Sequence, residues 1–131
     1  MPAVEDFVAF YAARDWDRLG GVFSPSGFER IGPYGDVIDS SQGYIDFLRR
    51  VVPTLKEGYE LKPVHIAYAG DTVIAELIEH LEVDGVMKDL PEAIIFRLDG
   101  DGLIKGMHLY LQQPGGEAPV GGRAAMGKMP D

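Results

Sequence analysis

The sequence predicts an α+β fold: three N-terminal helices packed on a curved antiparallel β-sheet cone. Three observations predict it. Apolar residues recur with helical spacing in the first third of the chain and alternate one-on, one-off from Glu60 onward. Turn chemistry punctuates the second part at Gly70-Asp71, Asp84-Gly85 and Asp99-Gly100-Asp101-Gly102. Helices that precede a run of strands, instead of alternating with them, point away from a parallel α/β sheet.

The elements follow in order. Val4, Phe7, Val8 and Tyr11 share one face of a first helix. Asp15 caps a second, short helix with Trp16, Leu19 and Phe23 on its apolar side. Ser24-Pro25-Ser26-Gly27 is loop, Phe28 to Ile31 a short strand, and Gly32-Pro33-Tyr34-Gly35 breaks it. Ser40 or Ser41 caps a third helix carrying Tyr44, Ile45, Leu48, Val51 and Val52, with Pro53 at its end and Lys56 to Gly58 as linker. Strands are expected near 60–69, 72–83, 86–98 and 103–112. A long twisted sheet curls, and the helices close its open side around a pocket.

With 131 residues the chain suits one core, assigned to 1–113, with a Gly/Pro-rich tail over 114–131. A formal charge of −9, with no cluster of Lys and Arg, excludes nucleic acid and anionic membrane surfaces as natural partners. There are no cysteines, hence no disulfide, thiolate metal site or cysteine nucleophile. No apolar run approaches the roughly 18 residues of a membrane span, and the N-terminus lacks the build of a signal peptide. A cytoplasmic protein is expected.

Alternation assigns faces. Val73, Ala75, Leu77, Leu81 and Val83 form the inward set, and Glu79 interrupts it. A two-residue loop at Gly70-Asp71 pairs Tyr68 with Val73, Ile66 with Ala75 and Val64 with Leu77, and sets Lys62 opposite Glu79 and His65 opposite Glu76. A two-residue loop at Asp84-Gly85 pairs Val73 with Phe96, Ala75 with Ile94 and Leu77 with Glu92. Glu92 then also points inward, diagonal to Glu79. Met107, Leu109 and Leu111 complete the inward face, whereas His108 and Tyr110 lie outside.

On these residues the chain resembles the nuclear transport factor two-like superfamily of cystatin-like rolls. That superfamily includes ketosteroid isomerase, SnoaL-like polyketide cyclases and limonene-epoxide hydrolase. The likeness spans about residues 3–112 and rests on Trp16 and Phe23, Gly43-Tyr-Ile-Asp-Phe-Leu48, Ala69-Gly-Asp-Thr-Val73, and Ile104 followed by Tyr110. Val64-His-Ile-Ala67, Gly70-Asp-Thr-Val-Ile-Ala-Glu76 and Leu90-Pro-Glu-Ala-Ile-Ile-Phe96 are similar to strands of the epoxide hydrolases. By that resemblance the hydrolase's first acid falls at Glu79, its arginine at Leu77 and its second aspartate at Leu109. Its Tyr and Asn fall near Phe28 and Arg30, and the isomerase's oxyanion acid falls at Ile94. Only one of those polar groups is kept.

Glu79, Glu92 and Arg30 are therefore the candidate catalytic residues. A carboxylate facing an apolar pocket is costly, and desolvation raises its pKa toward that of a general base. The competing reading ties Glu79 to Lys62 as a rim salt bridge. Two inward carboxyls push their pKa values apart, giving one acid and one base, unless a bulge at Leu90-Pro91 turns Glu92 outward. Arg30 offers a charged fork to a substrate oxygen or orients Glu79; alternatively it is a surface arginine on an edge strand. Tyr34 either orients a polar group at the pocket mouth or plugs its loop. Tyr68, Leu77, Ile94, Phe96, Met107, Leu109 and Leu111 are the expected apolar lining.

His65, His80 and His108 share the outer face without metal-ligand spacing, so no metal is expected, and Asp99 to Gly102 reads as a turn instead of a calcium loop. The expected function is cofactor-independent hydrolysis, isomerisation or cyclisation of a compact apolar molecule bearing a polar group. The alternative is a non-catalytic dimeric module that binds a ligand or a protein. A homodimer through His65, Ile74, Ile78, His80 and Tyr110 on the outer sheet face is expected in either case.

Overall fold

The order of elements in the computed structural model is α1 (Ala3–Ala12), α2 (Trp16–Gly20), β1 (Glu29–Ile31), β2 (Val37–Ile38), α3 (Ser41–Val51), a 3₁₀ turn over Val52–Thr54, β3 (Glu60–Ala69), β4 (Thr72–Val83), β5 (Val86–Leu98) and β6 (Ile104–Leu111). Residues 2–55 and 57–112 are described, so the expected tail over 114–131 lies outside them. The fold is the expected α+β roll. No helix among the described residues is long and apolar enough to cross a membrane.

Local chemistry starts and stops the helices as the sequence implies. Asp15 accepts a hydrogen bond from the Arg18 amide and Ser40 one from the Gly43 amide, each satisfying a donor that the first helical turn leaves free. Pro53, which cannot donate, sits in the 3₁₀ turn that ends α3. The face Val4, Phe7 and Tyr11 of α1 is buried on the sheet. Phe7 meets Phe96 edge-on at 5.4 Å between ring centroids and Phe23 at 6.2 Å.

The sheet has six strands in the order β2-β1-β6-β5-β4-β3. Long β4 and β5 form its spine. Asp84 and Gly85 both take positive φ (52° and 81°), the conformation of the tight hairpin turn that joins them. At the third turn, Asp99 Oδ1 accepts from the amides of Asp101 (2.8 Å) and Leu103 (2.9 Å). That carboxylate is spent on the turn itself.

Two features depart from expectation, and a third removes the competing reading of Glu92. First, β1 runs parallel to β6, pairing Arg30 with Met107, and the small β2 joins it antiparallel on the sheet edge. The segment before β1 already runs parallel to β6, since Phe23 bridges Ile104, and β1 keeps that direction. Second, β3 carries a bulge between Pro63 and His65. Proline lacks the ladder donor and is tolerated on an edge strand or at a bulge. The extra residue, Val64, is exposed, and every residue before it changes face. Leu61, not Lys62, therefore stands opposite Glu79, and Pro63, not Val64, opposite Leu77. Lys62 pairs instead with Glu60 at 3.7 Å. Third, Leu90-Pro91 does not bulge: Glu79 faces Leu90 and Ile78 faces Pro91 in an unbroken ladder. The Pro91 carbonyl accepts from Gln112 at 2.9 Å, so the proline's donorless nitrogen falls where β6 runs out and interrupts nothing.

Phe7 is enclosed by the sheet and Phe23, so Phe7→Ala should lower unfolding free energy by about 3–5 kcal/mol, as measured by urea denaturation.

Candidate functional site

Because β4 and β5 pair without interruption, Glu92 lies opposite Leu77, and Glu79 opposite Leu90. The two glutamates are diagonal neighbours on the concave face, within reach of each other. They project into a cavity of about 320 Å³ between the sheet and the helices α1 and α3. Glu92 is 6 % exposed, and Glu79 is its diagonal neighbour across the β4–β5 ladder. Burial first, then the neighbouring Glu79 charge, pushes the Glu92 carboxyl up to about 9, which keeps it protonated at neutral pH.

Glu79 accepts from a donor on the helical side. The Tyr59 hydroxyl donates to Glu79 Oε1 at 2.7 Å. Tyr59 has one proton, so the Tyr11 hydroxyl, 2.8 Å from it, is the donor in the next bond. Burial raises both phenols, Tyr11 to about 12 and Tyr59 further, so both stay neutral donors. Arg14, held in a left-handed backbone conformation (φ 57°), bonds the main-chain carbonyls of Tyr11 and Tyr59 at 2.9 Å each. Its guanidinium also lies over both rings. Glu79 thus sits at the end of a braced line of donors, with the acid Glu92 on its other side.

Arg30 is not a surface residue. It is 6 % exposed, lines the same cavity and lies 5.5 Å and 5.2 Å from the ring centroids of Tyr44 and Phe47. Its Nη1 pairs with Asp36 at 2.8 Å, and its Nε has no partner. It bonds neither glutamate, so it does not orient Glu79 directly. Tyr34 borders the cavity from the loop between β1 and β2, with 78 % of its surface exposed. It therefore does not plug that loop.

Of the expected lining, Ile94, Leu109 and Leu111 border the cavity. Leu77, Phe96 and Met107 also face inward, but they are sealed in the packed core and do not line the cavity. Tyr68 is 52 % exposed at the end of β3, where its hydroxyl bonds Glu5 at the start of α1. These four expected lining residues therefore do not border this cavity. Tyr11 and Tyr59 belong to this cavity too, although the alternation of the strands does not point to them. The signal for Tyr59 was Pro63, since a bulge there turns Tyr59 and Leu61 inward. Outside the cavity, His80 pairs with Asp89 at 2.6 Å and His108 stacks on Tyr110.

Comparison with known proteins agrees with this architecture. Residues 4–107 match the SnoaL-like domain. Among solved structures, a limonene-epoxide-hydrolase-like enzyme of M. tuberculosis is 22% identical over 84% of this chain and 80% of its own, with a TM-score of 0.70. A candidate SnoaL-like polyketide cyclase from Jannaschia sp. CCS1 is 20% identical over 84% and 83%, with a TM-score of 0.71. A candidate ketosteroid isomerase from Kribbella flavida is 13% identical over 89% and 80%, with a TM-score of 0.73. These likenesses show a shared fold. Among proteins of curated function, none matches.

The raised carboxyl of Glu92 has a consequence for stability. Its folded pKa of about 9 lies above the ordinary value of 4.5, so between those values the folded state holds a proton that the unfolded chain has released. Its contribution is fully present below the ordinary value and is lost as pH rises through the folded one. Wild-type stability should fall with rising pH across that window more steeply than that of Glu92→Gln. Urea denaturation of both proteins at a series of pH values measures the difference.

Proposed function

This chain belongs to the SnoaL-like domain family, and from that membership we propose that it is a cofactor-independent acid–base catalyst that moves protons on a compact, mainly apolar carbonyl compound. The carrying observation is the Glu79–Glu92 pair, one member held neutral and the other receiving the Tyr59 proton, in one cavity. Both carboxyls stand on one wall, on adjacent strands. Proton removal and proton delivery on the same side of a bound molecule suit that placement.

Glu79 is the base. It takes a proton from the carbon next to the carbonyl while Glu92 gives its proton to the carbonyl oxygen, forming the enol. On a β,γ-unsaturated carbonyl compound this enol is a dienol: Glu79 returns the proton to the γ carbon while Glu92 recovers its own from the enol oxygen, an isomerisation with no net gain or loss of protons or electrons, so no redox cofactor is required. As Glu92 releases its proton and Glu79 gains one, the total charge of the pair stays constant. That matters in a cavity lined mainly by apolar side chains. Tyr59 and Tyr11 hold Glu79 in place, and the surrounding aliphatic and aromatic side chains take the apolar body of the substrate.

The proposal includes a homodimer. Ile74 and Tyr110 are 41% and 51% exposed on the outer sheet face, beside Val64. Exposed β-branched and aromatic residues clustered on strands favour a covering partner, and a second copy of the same face supplies one. Tyr110→Glu should shift the chain toward monomer in sedimentation velocity.

The catalytic reading is tested by proton exchange. Cyclic ketones incubated with the protein in heavy water should gain deuterium next to the carbonyl, as followed by NMR. Glu79→Gln and Glu92→Gln should each slow this by on the order of 10²–10⁴-fold while keeping the fold. Exchange that is absent for wild type, or unchanged in both variants, overturns the reading. Incorporation of ¹⁸O from water into an epoxide substrate, without carbon exchange, would reassign the pair to hydration.

A further inference from the structure

The same cavity contains a cation that the acid–base pair does not use. Arg30 reaches it from β1 and is 6 % exposed. Its Nε is the only buried side-chain polar atom without a hydrogen-bond partner among the described residues. Guanidinium has five N–H donors, and the structure assigns one side-chain bond, from Nη1 to Asp36 at 2.8 Å. Leaving buried donors of a charged group unpaired costs free energy that the fold does not recover locally. Asp36 is about half exposed on its outer side, so it neutralises the charge at the rim and not within the cavity.

The surroundings hold this arginine in place. The rings of Tyr44 and Phe47 lie within 5.5 Å of its Cζ, which restricts the plane of the fork. A Cβ at Gly32 would come within 2.6 Å of Nη1, so the close approach of the ion pair depends on glycine there. A fixed, partly unsatisfied guanidinium bordering an apolar cavity is a recognition element for an anionic oxygen pair.

We infer that Arg30 is the anchor for a carboxylate on the ligand, so that the molecule this cavity binds is a compact monoanionic carboxylic acid with an apolar body. This rests on the reading that the cavity is the substrate site, and it narrows the substrate to an oxo-acid. A volume of about 320 Å³ lies at the low end of ligand sites, which run about 300–1,000 Å³, and limits the body to a small ring or short branched chain. The carboxylate lies at the Arg30 end, away from the Glu79 charge, and the apolar body extends along Ile94 and Leu109 toward the acid pair.

Titration of the full chain with cyclohexanecarboxylate and with its neutral isostere cyclohexanecarboxamide, followed by NMR, tests this. The carboxylate should bind on the order of tenfold tighter to wild type, because a hydrogen bond to a charged group is worth that much. Arg30→Met should erase the difference. Asp36→Asn leaves Arg30 in place and frees Nη1, so it should tighten the carboxylate several-fold and leave the carboxamide unchanged. This variant carries the test if Arg30→Met fails to fold. Equal affinities in wild type, a preference that survives Arg30→Met, or no gain in Asp36→Asn overturns the assignment. Glu79→Gln should keep the preference, which separates the two proposals. An Arg30-dependent preference without proton exchange leaves the anchor standing and the catalytic reading fallen. Exchange lost in Glu79→Gln without any Arg30-dependent preference gives the reverse.

Discussion

Two carboxyl groups in contact on an apolar sheet face cannot both carry charge, and most of the cavity's arrangement answers to that constraint. Glu92 is the more deeply buried of the two, and no hydrogen-bond donor to it is found among the described residues. Glu79 accepts a hydrogen bond from the Tyr59 hydroxyl. The division of roles between the two glutamates follows from the side chains behind them, since the residues themselves are chemically the same.

The tyrosines connect that division to the helical layer. Tyr11 belongs to α1 and Tyr59 lies just before β3, so their bond joins helix and sheet at the place where Glu79 is held. Arg14 reinforces the joint by bonding both main-chain carbonyls from a position just past the helix end. Packing of α1 on Phe96 and positioning of Glu79 are therefore two effects of the same docking.

From β1 the same cavity receives the one buried cation among the described residues. Its parallel pairing with β6 sets Arg30 beside Met107 on the inward face. The positive group and the acid pair are contributed by separate strands of one continuous sheet. The family shares this frame while the polar residues differ: the positions that correspond by resemblance to the hydrolase's arginine and second aspartate hold Leu77 and Leu109, and both are buried.

The pattern of residues alone determined the α+β class, the three helices, the four long strands, the β4–β5 register and hence the inward pair Glu79 and Glu92. These are consequences of local periodicity and turn chemistry, which act over a few residues and can be read along the chain. Tertiary structure decided the rest. Whether Pro63 bulges β3 depends on what β4 offers across the ladder, and that choice moved Lys62 out and brought Leu61 and Tyr59 in. Whether Pro91 disturbs β5 depends on where β6 ends. Which inward residues border the cavity and which are sealed depends on how the helices pack, so Phe96 and Met107 share a face with Ile94 and Leu109 without bordering the cavity. Arg30 became buried because a strand too short to show any period was captured by the sheet edge, and long-range pairing of that kind leaves no local trace in the sequence.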